Sequence, residues 1–162
     1  MSKKTQDLSI LKSQSRLNIN LTLIQVSFTI LVLIITLKPS ILEKTAILLQ
    51  LTLSIPLILT STFGNSKVTY ATRKDIWEGY SFITFLIGYS FLVNVAGLLI
   101  TQFIGLSLGL IFFIFNILVS ITYSIVNILE NSELVLVKRI KKDLLFCLLL
   151  VFGGILPALG LY

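Results

Sequence analysis

The chain has 162 residues, 56% of them hydrophobic and only 12% charged, with a formal net charge of +6 and no histidine. A soluble domain carries roughly 25% charged residues, so this chain lacks the polar surface to cover itself in water, and the composition excludes an ordinary soluble domain. The missing histidine also excludes imidazole-activated nucleophiles, imidazole metal ligands and imidazole proton relays.

Charged residues gather between and at the edges of five apolar runs: Ile19–Leu37, Ile41–Phe63, Ile76–Gly97, Phe103–Leu129 and Leu144–Tyr162. A helix rising about 1.5 Å per residue needs about 20 apolar residues to cross a hydrocarbon core of about 30 Å. Each run meets that length. The fold class to expect is all-α, a helical transmembrane bundle of five spans. Residues 1–18 form a polar cytosolic segment read as a loose tail rather than an interfacial helix, and residues 19–162 form one bundle domain.

Taken in order, the first run reads as a retained signal anchor, because Leu37-Lys38-Pro39 is no small-residue cleavage site. Asn20-Leu21-Thr22 matches a glycosylation sequon but lies at the inner edge of a span. Lys38-Pro39-Ser40 breaks the helix, and Ser40 with Glu43 has capping-box spacing for the second. Gly64 reads as that helix's stop. Asn65–Lys74 is a basic loop. Asp75 and Glu78 repeat the capping-box spacing for the third helix, with Trp77 and Tyr80 placed as an aromatic belt. No charge or proline separates the third and fourth runs, and the turn is expected near Thr101-Gln102. Glu130–Asp143 is a charged loop. The last run carries Gly153, Gly154, Pro157 and Gly160; a full span is the favoured reading, and four spans plus a re-entrant segment is the alternative.

Basic residues collect on the cytoplasmic side of membrane proteins. With the N-terminus inside and five spans, eleven of the thirteen lysines and arginines fall inside, leaving only Lys38 and Lys44 outside. The expected placement is a plasma or inner membrane with the C-terminus outside. The charge thus needs no nucleic acid to explain it, and none is expected as a partner.

Polar residues within the runs fall on narrow arcs when plotted at about 100° per residue. In the first, Asn18, Thr22, Gln25, Thr29 and Thr36 share one side. In the fourth, Asn116, Ser120, Tyr123 and Asn127 share a side with Gly105 and Gly109, which form a Gly-x-x-x-Gly pair. Tyr80, Thr84, Asn94 and Thr101 form a looser version in the third. The second is mixed, with Thr52, Pro56 and Thr60 on one side and Gln50, Ser54 and Ser61 on another. Amides and hydroxyls facing lipid forgo hydrogen bonds, so these seams are expected to face other helices. The candidate intramembrane polar residues are therefore Thr22, Gln25, Thr29, Asn94, Asn116, Ser120 and Tyr123. Gly105 and Gly109 are the candidates for close packing.

Outside the spans, Lys138, Arg139, Lys141 and Lys142 place four positive charges beside the membrane, a candidate contact for an anionic lipid. No carboxylate lies deep in a run, no phosphate loop is present, and Cys147 is the single cysteine. Catalytic, cofactor-binding and metal sites are not expected. The leading expectation is a non-enzymatic assembly or accessory subunit, packed through its polar and small-residue seams. It would be partnered by the bilayer and by another membrane protein or a second copy. The alternative is a small passive channel or transporter for a neutral or weakly polar solute.

Overall fold

The structure, a computed structural model, describes residues 3–37, 40, 44–130 and 136–161. Among these residues the regular structure is all helical: α1 (Lys3–Leu37), α2 (Thr45–Val68), α3 (Lys74–Phe103), α4 (Leu106–Glu130), α5 (Leu136–Leu150), one π-helical turn (Val151–Ile155) and α6 (Leu156–Ala158). Four helices are long and apolar enough to cross a membrane: Gln14–Thr36 within α1, all of α2, all of α3, and Leu106–Val126 within α4. The fifth run is helical but is not one regular helix.

Several boundaries differ from expectation, each for a local reason. The N-terminal segment is not a loose tail: α1 runs from Lys3 through it, with no Gly or Pro before Leu37 to stop it. α2 starts later than expected, at Thr45, with no side-chain cap on its N-terminus. Glu43, the expected capping partner, lies outside the described residues. α2 also continues through Gly64 to Val68. α3 begins one residue before Asp75, which puts that carboxylate in the first turn, where it complements the helix dipole. Glu78 lies 3.8 Å from Arg16.

The chain divides into two compact units, Met1–Tyr89 and Ser90–Tyr162, with the division inside α3. In the first unit, α1 and α2 pack as an antiparallel hairpin, and the N-terminal part of α3 packs on α2. Along α2 the buried residues Ile47, Leu51, Ser54, Ile58, Ser61, Asn65 and Val68 follow alternating steps of four and three, with Gln50 and Gly64 buried beside them. That is the spacing of a left-handed coiled-coil seam. α1 buries Asn20, Ser27 and Ile34, seven residues apart. Asn20 bonds to Ser61, so equal steps along antiparallel helices put Ser27 level with Ser54 and Ile34 level with Ile47. Gly88 of α3 meets the Ser54 carbonyl: a Cβ built there would lie 3.2 Å from that oxygen and 2.9 Å from Ile58 Cγ1. At Gly64 a Cβ would lie 2.8 Å from Ser81 Cβ. These glycines let the α2 and α3 backbones approach closely.

In the second unit, Phe113 of α4 is fully buried, between Gly97 of α3 and Gly154 of the π turn. A Cβ on either glycine would collide with its ring. The π turn has a cause in Pro157, which has no N–H to give Gly153 and whose ring crowds that carbonyl in a regular helix. The widened turn shows in the Leu156 N–H, which bonds Val151, five residues back. The helix then closes with Gly160 at φ +71°, Gly160 N–H on Pro157 O at 3.1 Å and Leu161 N–H on Leu156 O at 3.1 Å. That is the Schellman arrangement, and the left-handed residue in it favours glycine.

Candidate functional site

The first unit contains a buried polar chain linking three helices. Asn20 of α1 donates from Nδ2 to Ser61 Oγ and Thr62 Oγ1 of α2, both at 3.2 Å. Ser81 of α3 donates to the Ser61 carbonyl at 2.8 Å. Its one proton is thereby committed, so in the 3.2 Å contact between the hydroxyls Ser61 is the donor. The chain runs Asn20 to Ser61 to Ser81 and returns to backbone. All three side chains are at most 2% exposed. Each bond in such a series polarises the next.

A cavity of about 210 Å³ opens beside this chain. Asn20, Ser61, Asn65 and Ser81 form its polar wall, and Ile19, Phe82 and Phe85 its apolar wall. Arg16 stands at its mouth, half exposed, with its Nη1 3.8 Å from Glu78 Oε1. Trp77 and Tyr80 meet edge to face at 6.0 Å on the same stretch of α3. The α2–α3 turn carries a second, shallower groove lined by Lys67, Tyr70, Arg73 and Trp77 among others, with Lys67 Nζ 4.9 Å above the Tyr70 ring. Toward the opposite end of the hairpin the interior is filled by Ile34, Ile47, Leu51 and Ile58, none more than 3% exposed.

The candidate residues named from sequence are distributed differently. Thr22, Gln25 and Thr29 are exposed, as is Thr36. The face of α1 that packs on α2 is the opposite one, about 180° around the helix from the expected seam at ~100° per residue. The reason is local: Thr22, Thr29 and Thr36 each donate to a carbonyl four residues back in their own helix, at 3.0, 3.0 and 2.8 Å, so their hydroxyls need no neighbouring helix. On α4, Asn116 and Ser120 are half-buried, at the edge of the face that buries Gly109 and Phe113, while Tyr123 is 64% exposed. Asn116 likewise bonds its own helix, at Phe112 O, 2.8 Å away. Asn94 is fully buried and donates to Leu149 O at 3.0 Å, tying α3 to α5.

The two glycines separate in role. Gly109 is buried, and a Cβ there would collide with Thr101 Oγ1. Gly105 is not in a helix: it makes the α3–α4 turn at φ +143°, with nothing within 4 Å of a Cβ position, which corrects its reading as a packing glycine. The turn thus falls at residues 104–105, just beyond Thr101-Gln102. Lys141 is exposed and Lys142 half-buried on α5. Lys138 and Arg139 lie on the same helix, their side chains outside the described residues.

Asn20 and Ser27 are not found by counting polar residues per face. The signal that finds them is the seven-residue repeat Asn20, Ser27, Ile34, read against its reverse, Ser61, Ser54, Ile47. Among the described residues no group of three or more Cys, Asp or Glu side chains converges on a point.

Among the described residues the regular structure is all helical, with four apolar helices of membrane length, the features of a helical membrane protein. Comparison with family models, curated proteins and solved structures finds no match.

Proposed function

We propose that the chain is an integral membrane protein of a plasma or inner membrane, acting without catalysis as an assembly or accessory subunit. The proposed topology is five spans, N-terminus cytosolic and C-terminus outside. The observation that carries the subunit reading is the two-sidedness of α1. One face, Asn20-Ser27-Ile34, is buried. The other carries Gln25 within a membrane-length apolar stretch, and Gln25 is exposed. The threonines beside it bond inward to their own backbone, so the Gln25 amide is the group on that edge built to reach a neighbour. An amide in hydrocarbon is satisfied by a second helix. The filled interior at Ile34, Ile47, Leu51 and Ile58 supports packing over a continuous solute path through the first unit.

The test is the protein mass of the particle extracted in mild detergent, measured by light scattering. A mass above the 18.1 kDa of one chain is expected. Gln25→Leu should reduce it to one chain with helix content unchanged, because the substitution touches no buried contact of the first unit. A single-chain mass for the unaltered protein overturns the reading. So does solute flux in reconstituted vesicles that persists in Gln25→Leu.

A further inference from the structure

We infer that the cavity between α1, α2 and α3 is a site for one zwitterionic phospholipid whose head group carries a primary ammonium. This rests on the bilayer placement proposed above, and not on the partner helix.

The chemistry of the cavity changes with depth in the order in which such a lipid changes. Arg16 lines its outer end, and Glu78 stands beside it there, 3.8 Å away. Asn20 lies four residues inward on α1, about 6 Å deeper at ~1.5 Å per residue, level with Ser61 and Ser81 through their bonds. Phe85 lies four residues beyond Ser81 on α3, again about 6 Å deeper. The sequence inward is therefore charge pair, then amide and hydroxyl with Ile19 and Phe82 beside them, then the Phe85 phenyl. A phospholipid presents phosphodiester and ammonium, then glycerol esters, then hydrocarbon.

The rim selects the head group. A guanidinium fork suits the oxygens of a phosphodiester. Glu78, 3.8 Å from Arg16, cancels its charge, so the rim gives no advantage to a net anion. A zwitterion serves both: phosphate on Arg16, ammonium on Glu78. A primary ammonium has N–H groups to donate to that carboxylate, whereas a quaternary ammonium has none. At the middle level, the cavity of about 210 Å³ has room for the ester groups with bridging water. Trp77 and Tyr80, residues enriched at the membrane–water boundary, place the rim at head-group height.

The experiment is native mass spectrometry of the purified full chain, titrated with ethanolamine, choline and glycerol phospholipids of matched acyl chains. One ethanolamine lipid adduct is expected, retained about tenfold over the other two, the scale of one charge-assisted hydrogen bond. Arg16→Gln should lower that retention about tenfold. Glu78→Gln should also lower it and turn the preference toward the glycerol lipid, because Arg16 is then uncompensated. Both side chains are about half exposed, so the variants should keep the parent's circular dichroism and melting temperature. Equal retention of the three lipids overturns the proposal, as does an Arg16→Gln protein that keeps its adduct. Displacement of the adduct by millimolar glycerophosphoethanolamine overturns the lipid as the source of the head group. Carbonate extraction of vesicles separates the two readings: a chain that washes out overturns the bilayer placement, whereas an embedded chain with no preference overturns only this site.

Discussion

Gly64 and Gly79 show how differently one residue type is used within twenty residues of sequence. Gly64 is inside α2, buried against Ser81; a Cβ added there would lie 2.8 Å from the Ser81 Cβ and 3.2 Å from its Cα. Backbone stands behind that contact, so a larger side chain cannot be absorbed by rotating a flexible tip. Gly64→Val should push α2 and α3 apart and destabilise by roughly 1–3 kcal/mol, the usual range for overpacking. The same displacement would strain the Ser61–Ser81 bonds, which lie one turn away. Gly79, on the exposed side of α3, has nothing within 4 Å of a Cβ. Gly79→Ala should stabilise by about 0.5–1 kcal/mol through helix propensity alone. Denaturant titration of the two variants in one detergent checks both signs. A stable Gly64→Val protein would mean that α2 and α3 do not approach that closely.

At the level of elements, the helices were legible because hydrophobic length is a direct consequence of the solvent, but the faces were not. Counting amides and hydroxyls per side assumes that a polar group must look to another helix. Thr22, Thr29 and Thr36 return their hydrogen bonds to their own backbone, so a threonine edge is compatible with an outward face. What chooses the packed face of α1 is the match of small and apolar residues at seven-residue intervals with α2, Ser27 level with Ser54 and Ile34 level with Ile47. The buried site follows from that register, and Asn20 is polar at a position where the neighbouring helix supplies two hydroxyls. The α3–α4 junction was obscure for a related reason. Gly105 and Gly109 share a motif, yet one turns the chain and the other packs against Thr101. The φ of +143° at Gly105 is a region that side chains with a Cβ rarely enter. Gly105→Ala should therefore cost about 1–3 kcal/mol although its surroundings are open. Thermal unfolding followed by circular dichroism measures the loss. An unchanged midpoint would show that the junction adopts another backbone path.

For the molecule as a whole, the decisive quantity is the number of crossings, and the last helical run decides it. Leu136–Ala158 is helical throughout, but its first turns carry Lys138, Arg139, Lys141, Lys142 and Asp143. The apolar part is Leu144–Leu161, about 27 Å at ~1.5 Å per residue, against a hydrocarbon core of about 30 Å. The π turn before Pro157 does not interrupt it, since the helix resumes and is closed by its own Schellman bonds. Backbone groups at its π turn and at its C-terminal end are thus bonded within the run, as lying in lipid requires. The basic cluster places the start of this run inside, since eleven of the thirteen basic residues share that side whenever the N-terminus is inside, with four spans or with five, so the fifth crossing rests on the length of the apolar part. A phosphatase reporter fused after Tyr162 should therefore be active outside the membrane, and a fluorescent reporter at the same point dark. The reverse pair of results would put both termini on one side and reduce the chain to four crossings. Substituting all four cations by glutamine should weaken the bias and give both reporters partial signal, because the asymmetry that orients the last span would then rest only on Lys and Arg residues far from it.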